Sequence, residues 1–246
     1  MKILGCDFDG TLNYGGIDEE KRRAIEKWRK AGNKIGVISG RPPQFAKTLQ
    51  EEYRLSLDFF VAFNGGVLLN SDGEEIYRAI CTDVNVNTLI EDLFSWGCEF
   101  AHTHCDKYYL IQRKEKDVRE GEYLLKDTTL PPTLCQVSVA LPSVKEAKRV
   151  TALINAKYGN SITAFQNERC IDIVPKGVDK AQGMYRVMEF YQAKQNDVLT
   201  VGDNANDMDM LQSFRSYAMK NGIEEVKKIA THITESVTEL IYKELG

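Results

Sequence analysis

Lys2–Cys6 is a short apolar run that stops abruptly at Asp7-Phe8-Asp9-Gly10-Thr11. That pattern predicts a buried strand ending in a polar, glycine-containing turn. Between Asp18 and Ala31, apolar Ala24, Ile25, Trp28 and Ala31 recur at helical spacing, and Gly32 follows as a stop. Lys34–Ile38 predicts a second strand that runs into Ser39-Gly40-Arg41-Pro42, with Pro42 suited to the first turn of a helix reaching about Tyr53. Phe59–Phe63 predicts a third strand, ending at Asn64-Gly65-Gly66, and then a hairpin turned by Ser71-Asp72-Gly73. Strands alternating with helices through short loops predict an α/β, doubly wound parallel (Rossmann-like) sheet.

The rhythm changes after about Arg78. Val84–Trp96 reads as a helix, and Glu99–Thr103 and Lys107–Gln112 as strands around Cys105-Asp106. A charged helix at about Glu115–Lys126 and the Pro131-Pro132 break follow. Leu134–Leu141 reads as a strand, Val144–Tyr158 as an amphipathic helix, and Ser161–Phe165 with Cys170–Val174 as a hairpin. Antiparallel pairs with helices predict an inserted α+β domain over 80–176, within a core of 1–79 and 177–246. Beyond Pro175-Lys176-Gly177 the doubly wound order returns, with a helix at Val178–Gln192, a buried strand at Asp197–Val201, the loop 202–207 and a helix from Met208.

Composition narrows the setting. With 43% hydrophobic and 28% charged residues the chain is no disordered segment, and a net charge of -4 gives no electrostatic footprint for nucleic acid or an anionic membrane. No apolar run approaches the roughly 18–20 residues of a membrane span. Acidic residues follow Met1 too soon for a signal peptide, and the six cysteines form no CxxC pair. The expectation is a cytoplasmic protein with reduced thiols, a monomer or small homo-oligomer.

Three predicted strand ends carry unusual polar groups: Asp7 and Asp9, Ser39, and Asp203 with Asp207. In open α/β sheets ligands bind outside the carboxyl ends of the strands, so these loops can converge. Carboxylates gathered there are costly without a compensating cation. The set is all oxygen, which favours Mg2+ over Zn2+. Each element alone has an ordinary reading as a solvated turn, a helix cap or an exposed lysine; their joint order does not.

Asp7-Phe8-Asp9-Gly10-Thr11, Ser39-Gly40-Arg41, the lone Lys180 and Gly202-Asp203-Asn204-Ala205-Asn206-Asp207 together resemble the haloacid dehalogenase-like phosphohydrolases. The insertion between the Ser39 and Lys180 elements, Asn64-Gly65-Gly66 and the run from Asp172 to Lys180 are similar to the Cof-type, type IIB capped branch. This resemblance implies a Mg2+-dependent phosphatase of small phosphorylated metabolites, sugar phosphates foremost, with no nucleic-acid or membrane partner. It implies Asp7 as the nucleophile that becomes an aspartyl phosphate, and Asp9 as the group that protonates the leaving alkoxide and then activates water. The metal would be held by Asp7, the Asp9 carbonyl, Asp203, and Asp207 directly or through water. Lys180 would add positive charge, and the Ser39 hydroxyl and Gly40 amide would hold phosphoryl oxygens. Thr11 would fix the turn and the Asp9 rotamer, Asn206 would touch phosphate, and Arg41 and Asn64 sit on loops suited to meet substrate.

Rival readings are a phosphomutase, which returns the phosphoryl group to an organic hydroxyl, and a non-catalytic sensor of phosphorylated metabolites. Having nucleophile and acid together argues against a sensor. The inserted domain carries none of the phosphoryl-handling residues, so discrimination among substrates falls to it, with His102, His104, Tyr108 and Arg113 as candidate contacts. His102-Thr103-His104-Cys105 has no second ligand cluster to complete a metal site.

Overall fold

The computed structural model describes residues 1–98, 100–104, 108–112, 122–124, 126 and 129–246. Two units divide the chain: Met1–Arg78 with Asp179–Gly246, and Ala79–Val178.

In the first unit the apolar run at the start of the chain forms β1 (Ile3–Cys6), buried at every position. Helix α1 (Glu19–Lys30) follows, capped by Asp18, whose carboxylate accepts from the Lys21 N–H, with Glu19 and Glu20 in the first turn and Lys27, Arg29 and Lys30 in the last. Both charge placements suit the helix dipole. Ala24, Ile25 and Trp28 are its buried stripe. The chain continues through β2 (Lys34–Ile38), α2 (Phe45–Glu51), β3 (Phe59–Ala62), β4 (Val67–Asn70) and β5 (Glu75–Arg78). Helix α2 starts three residues later than Pro42. Pro43 disfavours helical geometry at the residue before it, so the Pro42 and Pro43 carbonyls close turns onto Phe45 and Ala46 instead. It also ends before Tyr53, where Arg54 takes a left-handed φ of 54°.

The second unit holds α3 (Val86–Ser95), β6 (Phe100–His104), β7 (Tyr108–Gln112), β8 (Glu122–Leu124), β9 (Gln136–Ala140), α4 (Val144–Tyr158), β10 (Ile162–Asn167) and β11 (Cys170–Pro175). Its six strands lie in the order β10-β11-β9-β6-β7-β8. Leu89, Ile90 and Leu93 of α3 and Ala147, Val150 and Ile154 of α4 belong to one apolar cluster with Ala101, Val137 and Ile171 of the sheet. One expectation is corrected here. Glu122–Leu124, read as helix from its charge pattern, is a strand paired in parallel with β7, Leu110 opposite Glu122; cross-strand pairing outweighs local propensity. Of the rest of the predicted helix, Lys126 is described and 115–121 and 125 lie outside the described residues, as do Glu99, Cys105 and Arg113.

Back in the first unit come α5 (Lys180–Phe190), β12 (Val198–Gly202), α6 (Met208–Ser213), β13 (Arg215–Met219), α7 (Glu224–Ile229), β14 (His232–Thr234) and α8 (Val237–Leu245). Asp179 caps α5, accepting from the Gln182 N–H at 2.7 Å, so the helix begins at Lys180 rather than Val178. The sheet order is β14-β13-β12-β1-β2-β3-β4-β5, parallel from β14 to β3 and antiparallel at β4 and β5. β1 is central and flanked in register by β12 and β2, which puts the carboxyl ends of β12, β1 and β2 side by side.

Candidate active site

Asp7 leaves β1 with its N–H bonded to the Val201 carbonyl of β12 at 2.9 Å and its side chain only 6% exposed. Phe8–Leu12 then makes one wide helical turn, broken by non-helical geometry at Asp9 and Gly10. Gly10 has a φ of 85°, and a Cβ there would lie 2.9 Å from Asp203 Cγ and overlap its carboxylate. This turn therefore needs glycine for both conformation and space.

Lys180, from the first position of α5, is buried and donates to Asp7 Oδ1 and to Asp207 Oδ1, each at 2.6 Å. The second oxygen of Asp207 accepts from the Asp203 and Asn204 N–H groups at 2.9 Å. Asp207 thus ties the loop after β12 to the lysine. Carboxylate oxygens of Asp7, Asp203 and Asp207 lie within 4.8 Å of one another. Burial pushes the Asp7 carboxyl well up; Lys180 opposes this while Asp207 and Asp203 add to it. Burial likewise raises Asp203, against the Thr11 hydrogen bond. Burial pushes Lys180 down, but the charges of Asp207 and Asp7 outweigh it and hold the ammonium. One ammonium among three carboxylates leaves an excess of negative charge in a poorly solvated cluster. A hard cation with oxygen ligands fits that deficit.

Thr11 and Arg41 both bond carboxylates of the site. The Thr11 hydroxyl donates to Asp203 Oδ1 at 2.6 Å, so it orients Asp203 and not Asp9. Arg41, expected to meet substrate, has its Nε and Nη2 on the two oxygens of Asp9, both at 2.8 Å. Ser39 is buried at the end of β2, its Oγ accepting from the Arg41 N–H at 3.2 Å; Gly40 lies between them. Asn64 is buried after β3 with a φ of 52°, its N–H on the Ser39 carbonyl. Asn206 lies half-buried on the turn Ala205–Asp207. In the other unit, His102 packs against Phe100 at 5.4 Å, and burial lowers its pKa; His104 and Tyr108 belong to β6 and β7 by their backbone.

Several supports escaped the sequence reading. Gly65, with φ of 112°, lies so close to α5 that a Cβ would be 2.8 Å from the Asp179 carbonyl carbon, and Gly183 comes equally near Gly65. These two glycines let the Asn64 loop and the Lys180 helix touch. Gly202 leaves room for Asp207, whose Cβ would be 2.6 Å from an added methyl. Asn221 Nδ2 donates to the Gly10 carbonyl at 2.9 Å. Lys21, buried on α1, donates to the carbonyls of Leu12, Tyr14 and Gly16 at 2.7, 3.0 and 2.6 Å, cradling the loop that follows the Asp7 turn. Its place was legible, because Lys21, Ala24, Ile25 and Trp28 share one helical stripe.

The doubly wound sheet sets its acidic groups at adjacent strand ends, where open α/β sheets bind their ligands. The chain belongs to the haloacid dehalogenase-like hydrolases, whose family model matches residues 4–241. YitU of Bacillus subtilis, a 5-amino-6-(5-phospho-D-ribitylamino)uracil phosphatase, is 34% identical over 262 residues, covering 96% of this chain and 93% of its own. YkrA of the same organism is 26% identical over 259 residues, covering 100% and 98%. The fold matches a haloacid dehalogenase-like hydrolase from Bacteroides thetaiotaomicron with a TM-score of 0.81, at 24% identity and 99% coverage of both chains. A subclass IIB sugar phosphatase, BT4131, superposes with a TM-score of 0.78 at 20% identity, again covering 99% of both. No described helix is long and apolar enough to cross a membrane.

Proposed function

We propose that the protein is a Mg2+-dependent phosphoric monoester hydrolase acting on small phosphorylated metabolites, sugar and sugar-alcohol phosphates foremost, through an aspartyl phosphate on Asp7. The observation that carries this reading is the buried Lys180 bonded at once to Asp7 and Asp207 beside Asp203. Such a cluster holds a carboxylate nucleophile in place while supplying positive charge for an incoming phosphate. Asp7, the Asp9 carbonyl and Asp203 would hold the ion, with Asp207 beside them. When bound, it supplies the charge that offsets repulsion between Asp7 and the phosphoryl oxygens. Ser39 and the Gly40 amide hold phosphoryl oxygens, and Asp9 gives a proton to the leaving alkoxide, then takes one from water. Asn206 and Asn64 lie on loops of the same strand ends. The unit 79–178 carries none of these groups and serves as the substrate-selecting domain. The names of YitU and YwtE, two Bacillus subtilis proteins similar to this chain and both phosphatases of a phosphoribityl ester, support a polyhydroxylated leaving group.

The test is phosphate release from a panel of sugar phosphates, the phosphoribitylaminouracil, and flavin and pyridoxal phosphates, with EDTA and then Mg2+. Expected are turnover that vanishes with EDTA, returns with Mg2+, and is lost in Asp7→Asn. Undiminished turnover in Asp7→Asn or in metal-free protein overturns the reading.

A further inference from the structure

Asp9 sits on an open turn, its side chain 55% exposed, where the backbone departs from helical geometry. A short exposed carboxylate samples several rotamers, whereas proton transfer needs it within about 3 Å of its target oxygen. Arg41 supplies the restraint. Its two 2.8 Å bonds to both oxygens of Asp9 fix the plane of the carboxylate as well as its place. The guanidinium is held in turn: its carbon lies 4.4 Å from the centre of the Phe45 ring and 5.6 Å from that of Phe8. Those rings pack edge-on at 5.0 Å, and Phe8 meets Tyr53 at 5.2 Å. The Arg41 backbone is also tied, its N–H to Ser39 Oγ and its carbonyl to the Phe63 N–H at 3.1 Å. A lysine would offer neither the fork nor the flat face for stacking.

We propose that Arg41 is the positioning residue of Asp9, fixing its carboxylate for proton transfer in both half-reactions, and is not a phosphate contact. This rests on the reading of Asp9 as the acid–base group. In the first step the Asp7–phosphorus bond forms, the bond to the leaving oxygen breaks, and that oxygen takes the Asp9 proton. In the second, water attacks phosphorus and gives its proton to Asp9, while Asp7 departs as a carboxylate with release of inorganic phosphate.

The experiment measures kcat and KM for an alkyl phosphate and for p-nitrophenyl phosphate, with inhibition by inorganic phosphate, in Arg41→Ala, Arg41→Met, Arg41→Lys, Asp9→Asn and the double variant Asp9→Asn/Arg41→Ala. Arg41→Met keeps the stem over Phe45 should Arg41→Ala fold poorly. Expected for Arg41→Ala is a fall in kcat on the alkyl phosphate of about 10–100-fold, less than the roughly 100–10,000-fold of losing acid–base catalysis outright, because Asp9 itself remains. KM and the phosphate inhibition constant should stay within about threefold. On p-nitrophenyl phosphate, whose leaving group needs no acid, a burst of nitrophenolate should precede slow turnover. Arg41→Lys should recover little, and millimolar guanidinium should restore Arg41→Ala but not the double variant. Weaker binding of phosphate by about tenfold with kcat intact, wild-type kcat in Arg41→Ala, or additive losses in the double variant each overturn the proposal. Wild-type turnover in Asp9→Asn would instead reject the acid–base reading beneath it.

Discussion

Gly10 and Asp203, 193 positions apart in sequence, lie so close that the missing side chain of one is the space occupied by the carboxylate of the other. The turn that places Asp7 and the loop that carries Asp203 are thus shaped against each other. Gly10→Ala must strain a φ of 85° and displace Asp203. The expected cost is about 1–2 kcal/mol for the backbone and a fall in kcat/KM of about 100-fold from the misplaced carboxylate. Thermal melting and turnover of the variant check both; unchanged turnover would mean that Asp203 has room to move without consequence.

Asp207 has no spare oxygen to give up. Asn in its place offers one acceptor where Lys180 needs one and the Asp203 and Asn204 amides share the other. Because Lys180 keeps Asp7 at 2.6 Å, Asp207→Asn should cost about 1–3 kcal/mol, the range for leaving a buried hydrogen-bonding group unsatisfied. Urea unfolding measures it, and a loss below about 1 kcal/mol would show that the asparagine still satisfies the lysine and the two amides.

Lys21→Met keeps the length and packing of the side chain while leaving three carbonyls without their ammonium. The expected loss is about 1–3 kcal/mol, with faster amide exchange confined to residues 12–16. Exchange that rises across the whole unit would point to a general packing fault instead.

Glu244, near the end of α8, joins α8 to Lys2, just before β1, and to β13. It accepts from Lys2 Nζ at 2.9 Å, from the Tyr217 hydroxyl at 2.5 Å and from Arg215. Burial pushes its carboxyl up, but these donors outweigh burial and leave it below the ordinary 4.5. A depressed folded-state pKa gives stability that is present above the unfolded value and lost as pH falls through the folded one. Because Lys2 and Arg215 are both more than 40% exposed, the contribution is about 1 kcal/mol or less. Glu244→Gln should therefore melt lower at pH 7, and the gap should narrow as pH falls below the ordinary 4.5 toward the lower folded-state value. A gap that stays the same size as the pH is lowered through the acid range would assign the effect to packing.

The strand ends were legible because an apolar run that halts at Asp7, Ser39 or Asp203 marks both a buried strand and its exit. Their convergence followed from the parallel sheet, which sets β12, β1 and β2 side by side. Partner choice was not legible. Thr11 turns to Asp203 and Arg41 to Asp9 because the third dimension brings those groups nearest, and no spacing along the chain encodes it. The packing roles of Gly65, Gly183 and Gly202, which fall in a predicted turn, helix and loop, were not legible, since close approach between distant segments leaves no periodic trace. Glu122–Leu124 misled for the same reason: its fate was decided by β7.

The contact of Gly65 with Asp179 also fixes where the chain comes home. After a hundred residues of separate fold, the first position back in the sheet unit is gripped by a loop that was in place before the excursion began. Lys180 is the very next residue. Lys180 is thereby indexed to its own unit: contacts inside that unit, Gly65 against Asp179 and Lys180 on Asp7, set its place after the hundred intervening residues.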